Sequence, residues 1–165
     1  MNAKDAIKNA LTSTHYLLKW FLSDLSDADL LVRPVPGANH IAWQVGHLIN
    51  SERAMLAKYV PGASLPELPA GWTEQHSNKE GAAKESSDGF RTKAEYLSLF
   101  NNLRELTVTA VDRLSDADLD RPNTGNMAKF APTLGELLLL QSNHTMMHVG
   151  QFSAVRRKLG KPVLF

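Results

Sequence analysis

The sequence predicts an all-α protein, a bundle of four helices, and three observations support this fold class. Four long segments carry apolar residues at every third or fourth position, which is the spacing of one helix face. Proline and glycine fall mainly between these segments, and no stretch shows a convincing strand pattern. The length of 165 residues suits one domain with its own core, so we expect a single domain over residues 1–165.

The first two helices are predicted before residue 61. The first runs from about Ala3 to Leu25, where no proline or glycine interrupts the apolar spacing. Helix cannot continue through residues 33–37, because prolines lack a backbone donor and restrict the residue before them. Asn39 is expected to cap the second helix, which runs to about Val60 and stops at Pro61-Gly62.

A long polar connection, residues 61–91, separates the second helix from the third. Connections of this length are unusual in a compact domain and are often functional, so we expect this one to roof a pocket. Two capping boxes, Thr92 to Glu95 and Thr133 to Glu136, then open the last two helices. The third helix is predicted to end near Leu114, and the fourth to run from Leu134 to about Leu159.

A short internal repeat links the two halves of the chain. Residues 25–30, Leu-Ser-Asp-Ala-Asp-Leu, recur identically as residues 114–119, and Arg33-Pro34 is echoed by Arg121-Pro122. One explanation is convergent helix-end chemistry, since Ser and Asp are favoured in caps. The in-register echo favours duplication instead, which gives two helix–loop–helix halves joined by the long crossover between helices 2 and 3.

Composition excludes several functional classes. The net charge of +1 gives no support for a nucleic-acid or membrane partner, since both require clustered basic residues. The chain has no Cys, which excludes disulfides, thiolate catalysis and sulfur-ligated zinc. We see no signal peptide and no apolar run near the roughly 20 residues that span a bilayer, so a cytoplasmic location is expected by elimination.

Two histidines in the fourth helix, His144 and His148, provide the first functional signal. They lie on the predicted apolar face, four residues apart. Side chains at this spacing stand one turn above the other, roughly 6 Å apart, where they can share one metal ion. Unpartnered imidazoles in a core would cost about 1–3 kcal/mol each. The spacing alone leaves two readings open: metal ligands, or core histidines bonded to protein groups.

The neighbouring residues narrow the type of metal site. A zinc-protease helix carries Glu directly after the first His, whereas this chain has Thr145 there. A di-iron carboxylate bundle requires Glu-x-x-His pairs, and none occurs. A mononuclear site therefore needs a third ligand from another helix, and His47 on the second helix is the best candidate. Three neutral His with an open position is the arrangement of catalytic zinc and related sites.

The other histidines have simpler interpretations. His15 is either a core or a surface residue of the first helix. His40 is expected to be a cap or a surface residue at the start of the second helix. His76, in the long connection beside polar residues, is expected to be solvated.

The ordered motifs resemble the DinB/YfiT-like superfamily over almost the whole chain. They are Gly46-His47-Leu48, Glu52, Asn143-His144 with His148, Gly150-Gln151, and the tail at residues 156–162. The resemblance implies an up-down-down-up bundle that binds one divalent metal through His47, His144 and His148, and it implies a homodimer. Relatives include metal-dependent transferases or isomerases that use low-molecular-weight thiols, and others labelled metal-dependent hydrolases. The long connection departs from a minimal member and leaves the substrate open.

Two further residues are candidates for a catalytic role beside the metal. Glu52 lies a little over one turn beyond His47, and Gln151 nearly one turn beyond His148, so either can orient a ligand ring or a bound water. The alternatives are an exposed Glu52 paired with Arg53 or Lys58, and a Gln151 in solvent.

Two functions follow from these observations. The leading hypothesis is an enzyme with one Zn²⁺ or Ni²⁺ that transfers a low-molecular-weight thiol to a small electrophile, or hydrolyses a small substrate. Because the chain has no Cys, the thiol has to come from outside. The alternative is a non-catalytic bundle in which the metal is structural or sensory and the long connection binds a partner; four protein ligands on the metal would favour it.

Overall fold

The computed structural model describes residues 1–77 and 88–164. Its helices are α1 (Ala3–Leu22), α2 (Ile41–Tyr59), α3 (Trp72–Gln75), α4 (Lys93–Arg113), α5 (Asp116–Leu119) and α6 (Leu134–Lys158), with a 3₁₀ turn at Asp29–Leu31. Across the described ranges the only extended pairing is an isolated bridge between Pro122 and Thr133. The all-α prediction is confirmed, with four long helices and two short ones.

Contacts between α1 and its two neighbours fix three of the four helix directions. Lys93, the first residue of α4, donates to the carbonyl of Leu22, the last residue of α1, so these helices are antiparallel. Side chains of α6 donate to α1 carbonyls in the same order along both helices, Ser142 to Ala10 and Arg156 to Phe21. Helices α1 and α6 are therefore parallel.

Helix α2 runs antiparallel to α6. Gln44, near its start, contacts His148, whereas Ser51, further along, contacts Gln141. The four long helices thus follow each other around the bundle in the order α1, α4, α2, α6. The directions up, down, down and up match the predicted topology.

A buried ion pair joins all four long helices at the centre of the bundle. Arg104 on α4 and Glu52 on α2 have side chains that are only 1% exposed, with Nε and Oε1 3.0 Å apart. The same guanidinium donates to the Leu11 carbonyl of α1 and the Thr145 hydroxyl of α6. The Thr107 hydroxyl donates to the Glu52 carboxylate at 2.7 Å. These bonds satisfy a charge pair that would otherwise oppose folding.

The predicted helix starts are confirmed for α4 and α6 and wrong by one residue for α2. Thr92 and Thr133 each form the expected capping box. The cap of α2 is His40 and not Asn39, because the His40 Nδ1 accepts from the Trp43 N–H at 3.1 Å. The backbone carbonyl of Asn39 instead accepts from the Gln44 side chain.

The two copies of the six-residue repeat have the same local structure. In each copy the Ser hydroxyl accepts from the backbone N–H of the second Asp, whose carboxylate accepts from the Ser N–H; the pairs are Ser26 with Asp29 and Ser115 with Asp118. Each pair opens a short helical turn that follows a long helix. Helix α1 ends at Leu22, three residues before the predicted Leu25.

The long crossover packs against the bundle in its described part. Leu65 and Leu68 lie against the core, Trp72 is 2% exposed, and His76 is fully buried. The prediction of a solvated His76 is therefore wrong, because the turn of α3 carries its ring inward. Residues 78–87 lie outside the described residues. In the described part of the chain, no helix is long and apolar enough to cross a membrane.

Candidate metal centre

Three histidine side chains from α2 and α6 converge at one point. One nitrogen each of His47, His144 and His148 lies within 4.8 Å of the other two. The Nε2 atoms of His144 and His148 are 3.2 Å apart. Two ligands that each lie 2.0–2.1 Å from a tetrahedral ion are separated by about 3.4 Å, so this pair has the spacing of two ligands of one ion. The structure thus brings together the three residues that the sequence selected.

Protein acceptors orient two of the three rings for metal binding. The His148 Nδ1 lies 2.9 Å from the Gln44 Oε1, and the His47 Nδ1 lies 3.3 Å from the His76 carbonyl oxygen. Both partners accept and cannot donate, so each Nδ1 carries the proton. The lone pair of each ring therefore resides on Nε2, which is the usual state of a metal-ligating histidine. The donor set present fits a divalent transition metal.

Burial keeps the three rings neutral near pH 7. It lowers the pKa of His148 to about 3, with a smaller contribution from the charges of the neighbouring histidines, and that of His144 to about 4. Burial also lowers the pKa of His47. Neutral imidazoles are the form that binds metal, so protons do not compete for these ligands at neutral pH.

Trp43 and Gly46 set the position of His47 on α2. The Trp43 ring stacks on the His47 ring with a centroid distance of 5.0 Å and an angle of 6°. One residue before His47, the missing side chain of Gly46 makes room for His76, since a Cβ there would lie 2.0 Å from the His76 Cδ2. The close approach places the His76 carbonyl beside His47.

Two hydrogen bonds fix the His76 ring itself. Its Nδ1 donates to the Trp72 carbonyl, and its Nε2 accepts from the Tyr96 hydroxyl, both at 2.8 Å. Burial lowers the pKa of His76 to about 4 and raises the pKa of Tyr96, so both groups are neutral at pH 7. The neutral His76 ring, with both nitrogens hydrogen-bonded, holds the crossover against α2. It thereby also fixes the His76 carbonyl, which accepts from the His47 ring.

Sequence reasoning missed both groups that orient the rings. Gln44 carried a usable signal, because a polar residue three positions before His47 interrupts a face that is otherwise apolar. His76 carried none, since it acts through its backbone carbonyl, and a carbonyl is available at every residue.

In the described part of the chain, no hydrogen bond joins either candidate catalytic residue to a triad histidine. Glu52 is buried and its carboxylate accepts from Arg104 and Thr107, so it faces α4. Five residues rotate a side chain by about 140° around a helix, which turns Glu52 from the face of His47. The predicted alternative for Glu52, an exposed side chain paired with Arg53 or Lys58, is wrong, because Glu52 is buried and bonded to Arg104. Gln151 is exposed on α6, which agrees with the alternative prediction that its side chain lies in solvent.

A cleft of about 780 Å³ leads to the triad, and His47 and His144 lie in its wall. Its sides are α2, α6 and the segment that connects α5 to α6, whose residues 123–130 form the outer wall. None of the described residues in 61–77 and 88–91 lines the cleft, so the expected roof is not formed by them. That part of the crossover lies behind His47 instead.

The chain matches a known protein family over most of its length. The family model of the DinB superfamily matches residues 10–152. The chain belongs to the DinB superfamily. The resemblance inferred from the histidine motifs is thereby confirmed, while no curated protein matches the chain.

Two solved structures share the fold of this DinB-superfamily protein. YfiT from Bacillus subtilis, described as "a probable metal-dependent hydrolase with an unusual four-helix bundle topology", is 19% identical and has a TM-score of 0.68; the alignment covers 96% of this chain and 89% of YfiT. A conserved protein from Enterococcus faecalis is also 19% identical and has a TM-score of 0.70, with 98% of this chain and 99% of that one covered. At this identity the likeness establishes the fold alone.

Proposed function

We propose that this DinB-superfamily protein is a metal-dependent enzyme with one divalent ion, Zn²⁺ or Ni²⁺, at the Nε2 atoms of His47, His144 and His148. The observation that carries the proposal is the convergence of three neutral histidine nitrogens beside a large cleft, with His47 and His144 in its wall. Structural zinc sites use four protein ligands, whereas this group contains three His and, among the described residues, no carboxylate. A three-ligand site beside a cleft favours catalysis over a structural clamp.

The reaction that we propose is transfer of a low-molecular-weight thiol to a small electrophile, with hydrolysis of a small substrate as the second candidate. When bound, the ion would lower the pKa of a thiol or water and provide a nucleophile near neutral pH. The description of YfiT as "a probable metal-dependent hydrolase" supports the second candidate. The absence of Cys in this chain requires an external thiol for the first.

The residues of the chain have defined tasks in this proposal. Gln44 and the His76 carbonyl hold the rings of His148 and His47 so that their lone pairs meet. Apolar side chains of the cleft, among them Met55, bind the body of the electrophile and exclude water.

Metal content tests the site directly. Protein prepared without a histidine tag is expected to retain one ion per chain, and His148→Ala to lose it, by elemental analysis. Gln151→Ala is the matched control, since it removes an exposed polar side chain from the same helix one turn away. Equal metal content in the wild type and His148→Ala would refute the triad.

Turnover tests the reaction. We expect the metal-loaded protein to conjugate a small thiol to chlorodinitrobenzene, and a chelator to abolish the reaction. Turnover that survives removal of the metal would refute metal dependence. Metal-dependent consumption of an ester without a thiol would select hydrolysis, and a fully loaded protein inactive in both assays would refute the catalytic proposal.

A further inference from the structure

The cleft beside the triad is long, and of the residues that the structure describes a single charged side chain lines it. Lys58 lies on α2 eleven residues beyond His47, and both line the cleft. Eleven residues of α-helix span about 16 Å. The two ends of the cleft are therefore chemically different, with neutral histidine nitrogens at one end and an ammonium group at the other.

Much of the cleft wall is apolar and exposed, although Ser51 and Gln141 also line it between these two ends. The side chains of Phe130, Met147 and Met127 are 77%, 55% and 37% exposed, and all three line this cleft. Large apolar groups that share one exposed groove are typical of a binding site, because water contacts them at a cost that a ligand removes. The body of the ligand is thus expected to be apolar.

The outer wall is held in place at the Lys58 end. Asn123 is 5% exposed; its Nδ2 donates to the Ala131 carbonyl at 2.8 Å, and its Oδ1 accepts from the Gly125 N–H at 2.9 Å. The hydroxyl of Tyr59, the residue after Lys58, also donates to this Oδ1. These bonds tie the segment that carries Phe130 to α2, so the groove is formed before any ligand binds.

The charge of Lys58 is uncompensated within the cleft. Among the described residues, no Asp or Glu lines the cleft and no carboxylate forms an ion pair with Lys58. Its ammonium lies 5.1 Å from the centre of the Tyr59 ring, beside the outer wall. An apolar groove with a lone cation at one end has a positive potential there and favours an anionic group.

We infer that the cleft binds an elongated small molecule with an apolar body, whose anionic group, a carboxylate or similar oxyanion, lies at Lys58 while its other end lies at the triad. The identity of that other end as the reacting end rests on the proposed function. The inference assigns Lys58 to substrate specificity, and the exposed groove of Met127, Phe130 and Met147 to recognition of the body.

Three probes of equal length and different charge test the inference: decanoate, 1-decanol and decylammonium. Their affinities are measured by titration calorimetry on the full chain without metal, so that no metal ion competes for the carboxylate. We expect decanoate to bind more tightly than decanol, and decylammonium least tightly. Lys58→Gln is expected to weaken decanoate by about three- to tenfold and to leave decanol unchanged. Lys58→Glu is expected to reverse the order of the two charged probes.

Two further variants separate the cleft from nonspecific effects. Lys19→Gln removes an exposed lysine of α1, on the far side of the bundle, and is expected to bind all probes as the wild type does. Phe130→Ala is expected to weaken all three probes alike, because it removes part of the apolar wall. Equal affinity for decanoate and decanol, or equal losses in the Lys19 and Lys58 variants, would overturn the inference.

This binding assay and the turnover assay fail independently. Charge-selective binding without metal-dependent turnover would reject the proposed function and keep the inference. Metal-dependent turnover together with binding that does not depend on the charge of the probe would keep the proposed function and reject the inference.

Discussion

Gly46→Ala is expected to disturb the metal centre, because it adds a methyl group where α2 contacts His76. The new Cβ would lie 2.0, 2.3 and 2.5 Å from three ring atoms of His76, far inside contact distance. The ring cannot shift freely, because it is fully buried and bonded to Trp72 and Tyr96. We therefore expect the crossover to move away from α2 and to lose its hold on His47.

The magnitude follows from the bonds that the displacement breaks. Overpacking costs about 1–3 kcal/mol, and each lost hydrogen bond adds about 1 kcal/mol. The higher helix propensity of alanine returns about 1 kcal/mol. With two bonds lost, one between His76 and Tyr96 and one between His76 and His47, the expected net loss is about 2–4 kcal/mol in the free energy of unfolding of the metal-free protein. Without the His76 carbonyl on the His47 Nδ1, metal affinity should fall by about 10- to 100-fold.

Urea unfolding and competition with a chromophoric chelator measure the two effects. Gly150→Ala is the matched control, since this helical glycine of α6 has no atom within 4 Å of its added Cβ. It should gain about 0.5–1 kcal/mol from helix propensity and keep its metal affinity. A Gly46→Ala variant as stable as the wild type, with unchanged metal affinity, would refute the role assigned to His76.

Three other predictions test the core, the ring orientation and the pH dependence. Arg104→Met should cost about 3–5 kcal/mol of unfolding free energy in urea titrations, because it leaves the Glu52 carboxylate buried without its cation; a loss below about 1 kcal/mol would contradict this. Gln44→Leu should lower metal affinity about 10- to 100-fold in chelator competition with little change in stability, whereas an unchanged affinity would show that the His148 ring needs no acceptor. The unfolding free energy of the metal-free protein should fall as the pH drops from about 6.5 towards 4. In the folded protein His144 has a pKa of about 4 and His148 a pKa of about 3, whereas a histidine of the unfolded chain has a pKa of about 6.5. The unfolded chain therefore binds protons first as the pH falls. Each of the two histidines then lowers the free energy of unfolding by about 2 kcal/mol at pH 5. A flat profile between pH 7 and pH 5 would contradict their burial as neutral groups.

Local chemistry in the sequence was sufficient to predict the four long helices. Thr92 and Thr133 open α4 and α6 through bonds to residues three positions away, and apolar spacing defines the buried faces. The pairing of His144 with His148 is equally local, because four residues make about one turn in any α-helix. The third member, His47, required the internal repeat and the family resemblance, since nothing local connects α2 to α6.

The partner of Glu52 could not be predicted from spacing along α2. Its position on α2 was known, but its role depended on which helix packs against that face. The order α1, α4, α2, α6 sets Arg104 opposite Glu52 and Gln44 opposite His148. Spacing along one helix gives angles around that helix only, so it could not assign either partner.

By itself, the sequence determined the four long helices, the caps of α4 and α6, and the presence of three histidines that suit one metal ion. Tertiary structure alone decided that Gln44 and the His76 carbonyl orient the rings, and that Glu52 forms a buried ion pair with Arg104. It also decided that residues 123–130, and none of the described crossover residues, wall the cleft. The physical reason is twofold: spacing along one helix does not say which side chain of another helix lies opposite, and backbone carbonyls and loop paths carry no residue-specific signal. These contacts therefore exist only once the helices have packed.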